Sequence, residues 1–363
     1  MKIMKKLFLS ISVIATLAFM SSCEGPVGPA GPAGANGTNG TNGTNGTDGT
    51  DGVDGNLTCL ECHTQVNMDA IQGQYELSGH GIGAYVAYTS GAGRSSCSPC
   101  HHNEGFLYNL EEMPNADHSG NLAVPTDFYN TTKIDCETCH NNHGSLEDDI
   151  DAPIRIVDPV TAIADATVMD FNNNSNLCAN CHQSRESYQK QENVDSVKVG
   201  AVYVKVGAGQ VGIASSRTGP HHGPQANMLV GVLGYGTASV NQNHKDAGCV
   251  GCHMGESDGV EGGHTFFPSL ENCKSCHPSA TNFDIGGKQT SFDTRMAAIR
   301  AKLVSKGIIV DATSLAVVGV YSLNDFKGYW NWICLKEDLS RGAHNPGYTN
   351  TMLTVAETSL GLK

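Results

Sequence analysis

The chain is short of charged residues, of basic residues in particular, and of aromatic side chains. It has 363 residues, of which 22 are Lys or Arg and 36 are Asp or Glu, so its formal net charge is −14. Too few basic residues are present to build a face that binds nucleic acid, and we exclude that class of partner. Apolar residues make up 39% of the chain and aromatic residues 6%, which is little for this length. We therefore expect something other than side chains to fill part of the core.

Long apolar runs are also missing, except at the N-terminus. Residues 1–22 show three lysines, an apolar run and two small residues, Ser21 and Ser22, which together predict a signal peptide. Small residues directly before Cys23 resemble the lipobox of bacterial lipoproteins, which implies cleavage before Cys23 and its acylation. Ordinary cleavage that leaves a free Cys23 is the alternative. After acylation and export, only the lipid on Cys23 would hold the protein to a membrane. Glu24 is not the aspartate that retains lipoproteins in the inner membrane, so we expect an outer-membrane lipoprotein that faces the periplasm or the cell surface.

Glycine is abundant, and part of it is periodic. From Gly25 to Gly55 a glycine stands at every third position, which is a collagen-like repeat. Only glycine fits the axis of a triple helix, so this tract predicts a stalk and a trimer. The later Asn-Gly-Thr triplets lack proline, and a flexible spacer is the alternative. On either interpretation residues 23–56 separate a lipid anchor from a working domain at 57–363.

Cysteine is plentiful, and 12 of the 14 cysteines fall into six copies of the pattern C-x-x-C-H. Two thiols three positions apart can reach the two vinyl groups of one haem as thioethers, and the adjacent histidine then falls on the iron. Each copy therefore predicts one covalently attached c-type haem, with its histidine as the proximal ligand. The copies are Cys59, Cys62 and His63 (motif 1); Cys97, Cys100 and His101 (motif 2); Cys136, Cys139 and His140 (motif 3); Cys178, Cys181 and His182 (motif 4); Cys249, Cys252 and His253 (motif 5); and Cys273, Cys276 and His277 (motif 6).

Structural zinc and disulfides are the other common uses of such cysteines. Motifs 5 and 6 have about the spacing of a zinc ribbon, and disulfides form in exported proteins. Neither use explains why a histidine follows the second cysteine in all six copies, since only 15 of the 363 residues are histidine. The pattern therefore favours six c-type haems.

These motifs make the chain resemble the multihaem c-type cytochromes, from about Leu57 to the C-terminus. The resemblance is to a broad superfamily, which includes respiratory electron carriers, surface cytochromes and enzymes that convert hydroxylamine or nitrite. Four further segments strengthen it, because they are similar to segments that carry second axial ligands in large bacterial multihaem cytochromes. They contain His80, His221 with His222, His264, and His344.

The nine histidines outside the motifs are enough to give every haem iron a distal ligand. His143 and His244 lie close to a motif in sequence and are expected to serve a neighbouring haem. Bis-histidine ligation would give a chain of low potential, because methionine raises the potential and histidine leaves it lower. His102, His118 and His222 stay open as alternatives. The expected distal ligands are His80, His143, His221, His244, His264 and His344.

The remaining sequence predicts a mainly α-helical fold with much irregular loop, in which short helices wrap around a closely packed array of haems. Residues 196–214 alternate apolar and polar side chains and predict a small β-hairpin. Helices are predicted over Phe292–Lys306, with Gly307 as the C-cap, and over Leu323–Lys336. A third helix is predicted after Pro346, with His344 near its start.

Six closely spaced haems predict an electron-transfer protein of the cell envelope. It would relay electrons between redox partner proteins, or outward to an extracellular acceptor, without catalytic residues. The alternative is an enzyme that converts a small nitrogen or sulfur compound at one open haem. The surplus of histidines argues against an open haem, and the C-x-x-C-K variant of nitrite-reducing members is absent from the sequence. We therefore expect a carrier rather than an enzyme.

Overall fold

The structure is a computed structural model that describes residues 63–83, 94–111, 128, 131–141, 154–221 and 223–363. Within these ranges no helix is both long and apolar enough to cross a membrane. Several predictions fall outside them: the signal peptide, the acylation of Cys23, the glycine-repeat tract, and the roles of Cys59, Cys62, His118, His143 and His222.

Short helices dominate, and sheet is limited to pairs of short strands. The helices are α1 Gln65–Leu77, α2 Gly79–Ile82, α3 Ser98–His101, α4 Asn103–Glu111, α5 Cys136–Cys139, α6 Ser175–Ala179, α7 Tyr188–Glu192, α8 Gln225–Leu229, α9 Gln242–His253, α10 Leu270–Lys274, α11 Lys288–Ser305, α12 Leu323–Asp338 and α13 Pro346–Ser359. The strands are β1 Val160–Thr161, β2 Val168–Met169, β3 Ser196–Val199, β4 Val202–Lys205, β5 Gln210–Ile213 and β6 Gly319–Ser322. This confirms the prediction of a mainly helical fold with much loop and little sheet.

The three C-terminal helices match their predictions closely. Helix α11 begins before the predicted Phe292, because the Asp284 carboxylate accepts the backbone N–H groups of Gln289 (2.7 Å) and Thr290 (3.2 Å) and so caps an earlier turn. Gly307 follows α11 with a φ of 67°, as a C-terminal glycine should.

The hairpin near 196–214 is confirmed only in its first part. Strands β3 and β4 pair antiparallel, with Ser196 opposite Lys205. Strand β5 leaves this hairpin and pairs instead with β6, with Gln210 opposite Ser322. The pairing joins segments far apart in sequence, and local alternation could not reveal it.

The main apolar core lies among α11, α12, α13 and β5. Its largest fully buried side chains include Trp330 and Tyr348. Polar bonds fix the loop that crosses this core: Trp330 Nε1 donates to Leu233 O (2.9 Å), and the Gly234 N–H donates to the Tyr348 hydroxyl (2.7 Å). Asn331 Oδ1 accepts the next N–H of the loop at 2.7 Å. The C-terminal part of the chain is thus a well-packed support.

The N-terminal part is built differently. Helix α1 has 13 residues and no buried side chain. Its apolar residues Val66, Met68 and Leu77 are 77%, 44% and 48% exposed. An amphipathic helix normally hides its apolar residues against a core. The exposed face of α1 therefore agrees with the expectation that protein side chains supply only part of the core.

Candidate metal centres

The described C-x-x-C-H motifs share one backbone form, a single helical turn. In such a turn residues three and four apart lie on one side, so both thiols and the histidine point the same way. The histidine N–H closes the turn on the carbonyl of the first cysteine. These bonds are His101 to Cys97 (3.2 Å), His140 to Cys136 (2.8 Å), His182 to Cys178 (2.9 Å) and His277 to Cys273 (2.8 Å).

Motif 5 ends helix α9, which is kinked at Gly248. Gly248 has a φ of 61°, and a Cβ atom there would overlap the Ser175 side chain. The Ser175 hydroxyl accepts the N–H of Val250 at 3.1 Å. Only glycine gives both this backbone conformation and this close approach. It lets motif 5 pack directly on α6, which leads into motif 4.

Replacing Gly248 with alanine is expected to destabilise the protein by about 2 kcal/mol or more, because both the backbone and the Ser175 contact are strained. Chemical denaturation would measure this loss. Gly286→Ala is the matched control, since Gly286 has a similar φ of 64° and open space around its Cα. Equal losses in the two variants would contradict a special role for the close approach at Gly248.

Motif 4 touches two other motifs through its sulfur atoms. Cys181 lies close to Cys100 of motif 2, and Cys178 lies close to Cys249 of motif 5. The Cys181 thiol also donates to the backbone carbonyl of Pro99 in motif 2, at 3.7 Å. Motif 4 therefore lies next to both motif 2 and motif 5.

Four motif histidines each face a histidine from elsewhere in the chain. A metal–nitrogen bond of about 2.0 Å on each side, plus the ring radii, places two imidazole centroids about 6.3 Å apart across one metal ion. The observed separations fit this value. They are 6.1 Å for His80 and His182, 6.2 Å for His140 and His264, 6.3 Å for His244 and His277, and 6.4 Å for His253 and His344.

The Nδ1 atoms of several paired histidines are already engaged. His244 Nδ1 contacts Ala343 O and His253 Nδ1 contacts Phe266 O, both at 2.8 Å. Because a carbonyl only accepts, these Nδ1 atoms carry the proton, which leaves Nε2 with its lone pair. This is the tautomer that a metal-bound histidine needs.

Burial favours the neutral form of four of the eight paired imidazoles. Burial, with a smaller contribution from His182, lowers the pKa of His80 to about 4. Burial is also the main cause of the lowered pKa of His182, His253 and His264. A neutral imidazole is the form that binds a metal ion. At neutral pH these side chains are thus ready to act as ligands.

The other histidines divide into three groups. His221 is exposed and has a φ of 69°, unusual for a residue with a side chain. His102 is fully buried, with Nδ1 at 3.1 Å from a Glu104 carboxylate oxygen and Nε2 without a partner among the described residues. His143, His118 and His222 belong to the part of the chain that is not described.

The arrangement differs from the other uses of cysteine. Every described cysteine is free, so the described motifs hold no disulfide. Across the described ranges, no three His, Cys, Asp or Glu side chains gather as a metal-ion site. Histidines face each other two by two, whereas a structural zinc ion needs four ligands around one point.

Two residues of this region were not expected from the sequence. Phe266 packs its ring 5.1 Å from that of His80 and offers its carbonyl to His253. Asp338 holds the Nδ1 atom of His344 at 2.7 Å. No motif marks either residue, and Asp338 lies beyond the predicted end of its helix at Lys336.

The chain matches no family model and no curated protein. Its fold is similar to the crystal structure of the outer cell wall cytochrome OcwA, with a TM-score of 0.46 and 21% identity over 79% of this chain and 49% of that one. It is also similar to the undecahaem cytochrome from the S-layer of Carboxydothermus ferrireducens, with a TM-score of 0.44 and 19% identity over 78% of this chain and 40% of that one. The chain thus spans half or less of these structures.

Proposed function

We propose that the chain is an electron carrier of the bacterial cell envelope with six covalently bound c-type haems. The observation that carries the proposal is the placing of four motif histidines opposite four distal histidines at a separation that fits one iron ion between them. When bound, haem iron supplies one-electron chemistry in which no bond is made or broken.

The residues of the chain have separate tasks in this proposal. The cysteines of each motif would hold a haem by thioether bonds, and the motif histidine would be a ligand of its iron. His80, His244, His264 and His344 would be the second ligands in motifs 4, 6, 3 and 5. Motifs 1 and 2 are proposed to use His143 and His221, with His222, His102 and His118 as the alternatives.

Transfer of electrons is favoured over catalysis because a second histidine faces four of the motif histidines. An enzyme that converts a small nitrogen or sulfur compound needs an iron with an open position. In four of the six motifs a histidine lies where that position would be. The sulfur contacts between motifs 2, 4 and 5 further support a relay, because they bring the attachment points of three haems together.

The setting of this carrier is proposed from the N-terminal sequence. Residues 1–22 would direct export, Cys23 would carry lipid in the outer membrane, and the glycine-repeat tract would act as a trimeric stalk or a flexible spacer. The partners would be other redox proteins of the envelope or an extracellular acceptor. Mass spectrometry of the mature N-terminus tests the lipid: an unmodified Cys23 would contradict the anchor.

Electron paramagnetic resonance of the oxidised protein, with haem quantified alongside, tests the ligation. We expect six haems per chain, all low-spin. The rings of His140 and His264 cross at 31°, and those of His244 and His277 cross at 84°. Nearly parallel imidazoles give a rhombic low-spin signal, whereas nearly perpendicular ones give a signal with a large maximum g value. Both signal types should therefore be present.

Single variants assign these signals. His244→Ala should reduce the large-g signal and produce one high-spin haem, while His264→Ala should reduce the rhombic signal instead. Gln242→Ala, on the exposed side of the same helix as His244, is the control and should change neither. A wild-type protein with one high-spin haem would support the enzyme, and a protein without bound haem would overturn the proposal.

A further inference from the structure

Asp338 is a buried acidic residue at the last position of α12, where it is 2% exposed. Two effects oppose a carboxylate at this place. Burial removes the water that stabilises its charge, and the negative end of the helix macrodipole lies at the same end of α12. A charge kept here therefore needs a specific partner.

The partner of Asp338 is the imidazole of His344. His344 Nδ1 lies 2.7 Å from Asp338 Oδ1, and the Ser340 hydroxyl donates to the other carboxylate oxygen. Because an ionised carboxylate only accepts, His344 Nδ1 carries the proton and Nε2 keeps its lone pair. The ring of His344 faces His253 of motif 5. Asp338 thus fixes the tautomer in which His344 can bind the iron of that motif.

A tight turn brings His344 back onto the end of α12. Leu339 and Arg341 have φ values of 63° and 53°, a region that residues with side chains rarely occupy. The Ser340 hydroxyl accepts the N–H of His344 at 3.3 Å and closes the turn. Backbone conformations of this kind persist only where surrounding bonds hold them. Here those bonds join Asp338, Ser340 and His344 into one unit.

A carboxylate partner differs from the partners of other paired histidines. The Nδ1 atoms of His244 and His253 contact neutral carbonyl oxygens, and His182 Nδ1 lies 3.4 Å from the neutral amide oxygen of Gln225. A carboxylate draws the Nδ1 proton more strongly and makes the imidazole a better electron donor to iron. Its charge, in a site shielded from water, also stabilises ferric over ferrous iron.

We propose that Asp338 is a positioning residue that, through His344, lowers the reduction potential of the haem bound by motif 5. This rests on the proposed function, because it takes His344 as the distal ligand of that haem. Reduction adds one electron to ferric iron and makes or breaks no bond; the electron comes from a low-potential donor or from another haem of the chain. Motif 5 therefore accepts an electron less readily than it would without the carboxylate.

Potentiometric titration of the full-length Asp338→Asn variant, followed by optical and paramagnetic resonance spectra, tests the proposal. We expect one of the six haems to become about tenfold easier to reduce, which corresponds to a rise of about 59 mV for one electron. Glu357→Gln is the matched control. Glu357 is another buried carboxylate, 5% exposed, but it pairs with Arg295 at 2.7 Å, away from any motif. It should leave all six potentials unchanged.

A double variant separates the route through His344 from the direct field of the carboxylate. His344→Met should raise the potential of the motif 5 haem, since methionine is the ligand of higher potential. In that background Asp338→Asn should shift the potential clearly less, because the route through the imidazole is gone and only the direct field of the charge remains. Equal shifts in both backgrounds, or an unchanged potential in Asp338→Asn with six low-spin haems, would overturn the inference and leave the proposed function standing. Failure of His344→Met to change any haem spectrum would instead count against the proposed ligation.

Discussion

Replacing Cys178 and Cys181 together with alanine is expected to reduce the haem content from six to five per chain and to slow electron transfer within the protein. Motif 4 contacts motif 2 through Cys181 and motif 5 through Cys178. Its removal leaves a gap between them, whereas the removal of a peripheral motif would not. Stopped-flow reduction by a low-potential donor should show a slow phase that the wild type lacks.

The matched control is the loss of motif 6 by Cys273→Ala with Cys276→Ala. Asn272, next to motif 6, donates from Nδ2 to Cys252 O of motif 5 at 3.1 Å. Motif 6 is therefore linked to motif 4 only through motif 5 in the contacts described above. We expect five haems again, but reduction of the rest without the slow phase. The same kinetics in both variants would contradict a central place for motif 4.

A milder variant keeps all the haems, so that misfolding after the loss of a haem cannot explain slow electron transfer. His80→Met keeps the haem of motif 4 attached but exchanges its proposed distal ligand, so the potential of that haem should rise. A haem of higher reduction potential between two haems of lower potential holds the electron longer. The onward transfer to motif 5 should then slow while the haem count stays at six.

Replacing Trp330 with alanine is expected to cost about 3–5 kcal/mol of stability, because its fully buried ring leaves a cavity between α12 and its neighbours. The loss of the bond from Trp330 Nε1 to Leu233 O adds about 1–3 kcal/mol, because that carbonyl is left buried without a donor. Leu233 has a φ of 99° and depends on such bonds for its conformation. Denaturant unfolding followed by circular dichroism measures the sum.

Two controls separate the contributions at Trp330. Trp330→Phe retains most of the buried ring and should lose mainly the bond to Leu233. Val202→Ala, at a side chain 64% exposed on β4, should change stability by less than about 0.5 kcal/mol. A cost below about 1 kcal/mol for Trp330→Ala would show that bound cofactor, rather than this apolar cluster, supports the C-terminal part of the fold.

The spacing of the motifs predicted that the two cysteines and the histidine of each copy act together, and in the described motifs they share one helical turn. The partner of each motif histidine could not be predicted in the same way. His264 faces His140 and His344 faces His253, across large stretches of chain whose path depends on tertiary packing. Sequence alone gave the set of ligands to consider but not the pairing.

The C-terminal helices were predicted nearly to their ends, since apolar residues at helical spacing, Gly307 and Pro346 are local signals. The pairing of β5 with β6 is a contact between distant segments, and it left no local trace. The role of Asp338 is harder still to predict from the sequence. It depends on a turn in which Leu339 and Arg341 adopt a left-handed backbone conformation, and neither leucine nor arginine favours that conformation.

The crosswise pairing of the histidines also bears on how the chain folds. Most partners, such as His80 with His182 or His140 with His264, lie far apart in sequence. In the proposed ligation each iron becomes a cross-link, and closing a loop of roughly 100 residues by a permanent link removes unfolded-state entropy worth about 4–5 kcal/mol. Ligation is reversible, so the gain appears only when the distal histidine arrives. His344 follows the other three distal histidines in sequence, so its pairing with His253 would be the last of the four to form as the chain is synthesised.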